Sequence, residues 1–187
     1  MSPRPKPPAA PKPNPPGPKD MSKEQKFYYA MLPAAEKVAA SLNVPVNAVL
    51  AQWALESGWG NSKLAKDANN YGGLKTGSSW KGQQVAMPTK EKDGTETITA
   101  AFRKYDSPEA YADDFIAFMG KPRYKGVKGA ESAEDYAMRL GEAGYHQDTD
   151  GKYAKQVASI AKRLSGMAPA PAPMPGFIGT LAQTIQP

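Results

Sequence analysis

The chain has no cysteine and a single histidine in 187 residues, and these two scarcities remove most catalytic chemistries. Without a thiol there is no disulfide framework, no cysteine nucleophile and no thiolate metal site. One imidazole, His146, is too few for a zinc hydrolase, and a Ser/His/Asp triad would need it beside a serine. No apolar run approaches the ~20 residues of a membrane span, and the first residues lack the apolar stretch of a secretory leader. No basic stripe interleaved with aromatics marks a nucleic-acid surface. What is left is carboxylate chemistry that calls for no cofactor and no metal, or no chemistry at all.

What the chain does have in plenty is proline, unevenly placed. Of 19 prolines, nine fall in residues 1–20 and five in residues 166–187, leaving an ordinary content between. Charge divides along the same lines. Residues 1–20 carry +3 of the net +6, and residues 166–187 carry no charged side chain. The expected organisation is therefore a basic Pro-rich tail over 1–20, one domain with one core over 21–166, and a Pro/Ala-rich tail over 167–187 ending in apolar residues. Phe177, Ile178, Leu181 and Ile185 give that end the spacing of a short amphipathic helix. The mild basicity of the domain suits an anionic polymer such as a bacterial cell wall.

Within the domain, Ser22 and Gln25 have the form of a capping box before a helix over Lys23–Ser41, with a break or kink expected at Pro33. Pro45 sits in the first turn of a second helix, where Val46, Val49, Leu50, Trp53 and Ala54 form an apolar stripe. At ~100° per residue, Glu56 lies about 80° from the centre of that stripe. It falls in the last turn, just before Gly58 and Gly60. A carboxyl group there, beside Trp53 and Trp59 and against the helix macrodipole, has its neutral form favoured, as a general acid requires.

A long polar, Gly-rich stretch follows, holding Asn69, Asn70, Tyr71, Gly72, Gly73 and Trp80. Aromatic faces and amides of this kind suit pyranose rings and acetamido groups. Gln84–Glu91 and Thr95–Tyr105 around Asp93-Gly94 read as a hairpin, with Ile98, Ala100 and Phe102 on its buried face. Glu91 and Glu96 both offer a second carboxylate near its tip. Ser107-Pro108 opens a helix with Tyr111, Phe115, Phe118 and Met119 inward, and Ser132 with Asp135 opens another. Tyr153, Val157, Ile160 and Leu164 mark a last helix ending at Gly166. Tyr124 and Tyr145 lie in the intervening loops. The pattern gives an α+β domain, mainly helical, with a small hairpin lobe flanking a cleft.

Several of these segments occur together and in order: Ala51-Gln52-Trp53-Ala54-Leu55-Glu56-Ser57-Gly58-Trp59-Gly60, Asn69-Asn70-Tyr71-Gly72-Gly73-Leu74-Lys75, Trp80-Lys81-Gly82, Phe102-Arg103-Lys104-Tyr105 and Pro122-Arg123-Tyr124. In this set the chain resembles glycoside hydrolase family 73, bacterial β-N-acetylglucosaminidases that include autolysins. The resemblance runs from about Leu32 to Leu164. It implies a lysozyme-like fold, cleavage of the glycan strand of bacterial peptidoglycan on the reducing side of N-acetylglucosamine, and Glu56 as catalytic acid. It also implies Glu91 as the second acidic residue, in Thr89-Lys90-Glu91, although Lys92 stands where the family often has Tyr. Trp59, Asn70, Tyr71, Trp80, Tyr124 and Tyr145 are the expected substrate-binding residues. A muramidase or lytic transglycosylase would share the helix-borne glutamate, and a non-catalytic wall-binding or virion module is the rival from another class. A monomeric domain without membrane insertion is expected. For delivery, the sequence leads us to expect a phage lysin, either holin-released or carried on a virion or tail with the two Pro-rich segments contacting particle proteins.

Overall fold

In the computed structural model of the chain, the described residues are 20–90, 97–148 and 150–167. Both Pro-rich segments and the hairpin tip, with Glu91, Asp93-Gly94 and Glu96, lie outside them. The first helix, α1 (Lys23–Leu42), starts at the expected capping box. The Ser22 hydroxyl accepts the Gln25 N–H while the Gln25 side chain accepts the Ser22 N–H. Pro33 does not break it. Proline removes one N–H from the ladder, but Ala34, Ala35, Val38, Ala39 and Leu42 beyond it are all buried, and their packing carries one continuous helix to Asn43.

The second helix, α2 (Val46–Ser57), is more enclosed than an amphipathic stripe implies. Every residue from Ala48 to Ala54 is buried, because the helix packs against α1, α5 (Ala133–Glu142) and α6 (Lys152–Ser165). Ala48, Ala51 and Ala54 leave room for these neighbours to approach. The helix stops at Gly58, whose φ of 57° is the left-handed conformation of a helix C-cap. Trp59 and Gly60 continue it at 61° and 71°. The turn is tied by Ser57, which donates to the Trp53 carbonyl and accepts the Gly60 N–H. The polar stretch that follows is not all loop. Ser62 caps a short helix, α3 (Lys63–Ala68), that the sequence reading missed.

β1 (Gln84–Lys90) and β2 (Thr97–Arg103) pair antiparallel, from Gln84 with Arg103 to Lys90 with Thr97. Phe102 is buried, whereas Ile98 and Ala100 nearer the tip are half-buried. α4 (Pro108–Met119) is capped by Ser107 and packs on α1, and a 3-10 turn (Pro122–Val127) leads on to α5. Among the described residues no helix is long and apolar enough to cross a membrane.

Two devices join the hairpin to the helices. Tyr111 of α4 is fully buried, with ring centroids of Trp53, Tyr71, Tyr105 and Phe115 all 5.1–5.7 Å away in edge or tilted contacts. At the strand end, Arg103 donates to both carboxylate oxygens of Asp114 at 2.7 and 2.9 Å and to the Lys75 carbonyl at 3.1 Å. The Tyr105 hydroxyl donates to the same carboxylate at 2.6 Å. The Arg103 side chain is 9 % exposed and that of Asp114 19 %. Removing one partner of such a pair leaves the other charge desolvated. Arg103→Met is therefore expected to lower unfolding free energy by about 3 kcal/mol, measured by urea denaturation. A loss under about 1 kcal/mol, the scale of a surface pair, would show that the pair does not anchor the hairpin.

Candidate active site

Because α2 is buried along its length and then stops, its last turn delivers Glu56 to the surface at the point where the helix emerges. The residue is exposed, yet its carboxyl group is held. Oε1 accepts the Tyr153 hydroxyl at 2.8 Å. The carboxyl pKa is raised above the ordinary value, first because the surrounding protein strips hydration from the charged form. The Tyr153 hydrogen bond and then the charge of His146 act in the opposite sense. The open edge of the residue and the desolvation of its carboxyl group are compatible, since one side faces solvent while the other is walled by tyrosines.

Tyr153 stands in the first turn of α6, and burial holds its phenol far above its usual range, so it stays a donor. Tyr145, half-buried, donates to the Gly72 carbonyl at 2.8 Å and lies close enough to Glu56 for that charge to raise its own pKa, after burial. From Tyr145 a row of rings leads outward. Phe118 is 6.5 Å from Tyr145, and Tyr124 lies 5.1 Å from Phe118 and 6.4 Å from Tyr145. The Arg103 guanidinium lies 5.7 Å from the Phe118 ring and 4.7 Å from the Trp80 ring, between the two. An aromatic row thus runs from the Glu56 carboxyl group to the 70–83 loop.

The predicted site residues divide on this geometry. Glu56, Tyr145, Tyr124 and Trp80 belong to the row. The Tyr124 ring is buried, and its hydroxyl makes no hydrogen bond to a described residue. Trp80 is half-buried, with its indole N–H bonded to the Gln83 carbonyl at 2.9 Å. Asn70 has a scaffold role instead. It is 1 % exposed, donates to the Leu74 and Arg103 carbonyls and accepts the Leu74 N–H, all at 2.9 Å. Its amide N–H groups are spent on closing the loop, which leaves none for an acetamido group. Tyr71 packs edge-on against Phe27 and Tyr111 as part of the wall, and burial pushes its phenol up to about 12. Trp59 leans on Phe27 and carries the Arg163 guanidinium 5.2 Å above its ring, so one face is covered. Glu91, the expected second acid, falls outside the described residues.

Sequence reading missed Tyr153, taking it for the first core position of an i, i+4, i+7, i+11 stripe. The available signal was its place in the first turn, where a hydroxyl-bearing ring reaches a neighbouring helix end. Two open surface grooves lie elsewhere and are no rival site. They lie around Pro45 and Glu131, lined by alanines mixed with polar and charged side chains, about 15 Å along α2 from Glu56.

Residues 32–166 match the family described as mannosyl-glycoprotein endo-beta-N-acetylglucosaminidase. The chain belongs to this glucosaminidase family. Over 146 residues it is 37% identical to the peptidoglycan hydrolase FlgJ of Pseudomonas aeruginosa, covering 74% of this chain and 36% of that protein. It is 34% identical to the exo-glucosaminidase LytG of Bacillus subtilis, covering 77% and 52%. The chain thus spans about half the length, or less, of these curated relatives. A crystal structure of a peptidoglycan hydrolase from Sphingomonas sp. A1 superposes with a TM-score of 0.67 at 31% identity, covering 80% of this chain and 99% of that one. The lysozyme-like glucosaminidase fold expected from the sequence is the fold observed.

The geometry at Glu56 carries its own test. Tyr153→Phe removes the hydrogen bond that favours the charged carboxylate, so the Glu56 pKa rises further. Carboxyl-detected 13C titration is expected to show Glu56 titrating at higher pH in the variant than in the wild type. An unchanged or lower midpoint would mean that the hydrogen bond does not act on the carboxylate.

Proposed function

We propose that this glucosaminidase-family chain is a peptidoglycan hydrolase, an endo-β-N-acetylglucosaminidase with Glu56 as general acid. The observation that carries the reading is the Glu56 carboxyl group, desolvated at the end of a buried helix and opening onto an aromatic row. Desolvation keeps a carboxylic acid protonated at a pH where a free one is ionised. The Tyr153 hydroxyl donates to Oε1, which therefore serves as the carbonyl oxygen of the neutral acid. The proton sits on Oε2, which accepts no hydrogen bond from a described residue, and it is given to the glycosidic oxygen as the bond to the anomeric carbon breaks. The charge that develops at that carbon is met by water activated by a second carboxylate, or by the acetamido oxygen of the substrate. We assign the second carboxylate to Glu91, one residue beyond the last strand pair, on the side of the hairpin tip. The half-buried rings of the row, Trp80, Phe118 and Tyr145, suit stacking on sugar faces.

Glu56→Gln keeps the shape of the side chain and removes the proton. It is expected to reduce the release of reducing ends from purified peptidoglycan by about three orders of magnitude, with an unchanged thermal transition. Near-normal turnover would sink the assignment. Mass spectrometry of the wild-type digest identifies the bond. Reducing-end N-acetylglucosamine is the expected product, whereas reducing-end muramic acid would make the enzyme a muramidase and anhydromuramic products a lytic transglycosylase.

For delivery, the reading extends to a phage-encoded enzyme held on a virion or tail. The concentration of proline in residues 1–20 and 167–187 supports their use as tethers, since proline-rich chain makes semi-rigid spacers. Proteomics of purified particles is expected to find the protein, and deletion of residues 167–187 to lose it from particles while wall cleavage is kept. Particles without the protein would overturn this placement and leave the chemistry untouched.

A further inference from the structure

His146 is the one imidazole of the chain, and its surroundings hold the ring in one plane and one tautomer. Nδ1 accepts the backbone N–H of Asp148 at 3.2 Å, so the ring proton belongs on Nε2, which donates to the Ala137 carbonyl of α5 at 3.1 Å. The ring edge fits against Gly141, one turn further along α5. A Cβ there would stand 2.8 Å from Cε1 and 3.0 Å from Nε2 of the imidazole. One face of the ring is stacked on Tyr153, with centroids 3.9 Å apart and planes 25° from parallel. Asp148 adds a second restraint, because its Oδ2 accepts the backbone N–H of Tyr153 at 2.5 Å. Tyr153 is thereby fixed at its backbone and across its ring, and its hydroxyl rests on Glu56.

Little of this serves the packing of α6. That helix is held by Ala154, Val157, Ala161 and Leu164, all buried, and an aliphatic side chain at position 146 would fill the same space beside Tyr153. What an imidazole adds is orientation. Two ring nitrogens bonded to backbone groups on different segments set the plane of the ring, and the stack passes that plane to the phenol. We propose that His146 is a positioning residue for Glu56, acting through the ring of Tyr153 and touching neither substrate nor reacting atoms. The inference rests on Glu56 as the acid. Without the platform the phenol swings about its Cα–Cβ bond, its hydroxyl leaves Oε1, and the acid proton is no longer fixed on the oxygen that faces the scissile bond.

The test compares His146→Ala, Tyr153→Phe and the double variant in the full chain, by pH–rate profiles of reducing-end release from peptidoglycan. Glu56 acts protonated, so activity is present below its pKa and is lost as pH rises through it. The other groups facing Tyr153 are Tyr145 and Tyr136, held as phenols by burial, Asp148 on its backbone N–H and His146 itself, whose charge also acts on Glu56 directly, so kcat and the Gly141→Ala limb separate positioning from charge. Expected for His146→Ala are a kcat about tenfold lower, the size of one lost hydrogen bond to a charged group, a KM within about twofold, and an alkaline limb moved to higher pH, as in Tyr153→Phe. In the Tyr153→Phe background the same change is expected to add no further loss of kcat, and any limb shift left there is the direct effect of the imidazole charge on Glu56. A limb that stays in place, an undiminished loss in that background, or a change confined to KM would overturn the proposal.

Gly141→Ala guards against a variant that fails to fold. Alanine favours the helix while its methyl group displaces the imidazole, so the limb is expected to move as in His146→Ala. A wild-type profile in Gly141→Ala would overturn the proposal. In the wild-type chain, 15N spectra at pH 8 need no assignment for a single histidine and are expected to show the Nε2–H tautomer. The Nδ1–H form would also overturn it. Full activity in Glu56→Gln would instead remove the acid assignment on which the inference stands.

Discussion

The structure depends on one constraint: α2 must be enclosed by other helices along its length and still end on a usable carboxyl group. Enclosure is what desolvates Glu56, and the abrupt stop at Gly58 is what exposes it. A longer helix would carry the last turn out into water, and a less buried one would let water reach the carboxylate from all sides. The three consecutive left-handed residues, Gly58, Trp59 and Gly60, follow from this need. They turn the chain away within three residues, and the bonds of Ser57 to Trp53 and Gly60 replace helix hydrogen bonds that end there. For a side chain like that of Trp59, a positive φ is costly. Its contacts with Phe27 and Arg163 offset that strain and cover one face of the ring.

The hairpin lobe answers a different problem. A two-stranded sheet is barely stable alone, and this one is held at its base by the helices. Its base is gripped by charge, through Arg103 and Asp114, and by rings, through Tyr105, Phe118 and Trp80. The same guanidinium that binds the carboxylate fills the space between two aromatic faces, which a lysine would do poorly because its charge is compact and strongly hydrated. The side chains that anchor the lobe are therefore also the side chains that build the aromatic row.

Much of this was legible in the sequence wherever a local rule governed the outcome. Ser22, Ser107 and Ser132 start helices as capping residues do, and the strand register follows the alternation ending at Phe102. Glu56 was found from its angle on a helix together with a run of motifs. What escaped was set by tertiary contact. Pro33 signals a break, and burial downstream overrides it. Asn70 looks like an amide offered to a sugar, and only the fold shows its bonds closing on Leu74 and Arg103. Tyr153 and His146 are 97 and 90 residues from Glu56 in sequence, and no periodicity links a phenol, an imidazole and a carboxyl group over such distances.

Two glycines show how the fold makes room for those long-range partners. At Gly72 a Cβ would stand 2.6 Å from the Tyr111 hydroxyl and 2.8 Å from that of Tyr145, the group that bonds the Gly72 carbonyl. The backbone there has no positive φ, so the glycine is present for close approach and not for conformational freedom. Gly141 lies inside α5, where glycine costs about 1 kcal/mol relative to alanine, and the space it leaves is filled by the edge of His146. In both places a polar ring bound for the site occupies the volume of a missing methyl group. In the fold each is a rigid cut-out, and the tyrosine and histidine that fill them are the groups that set the surroundings of Glu56.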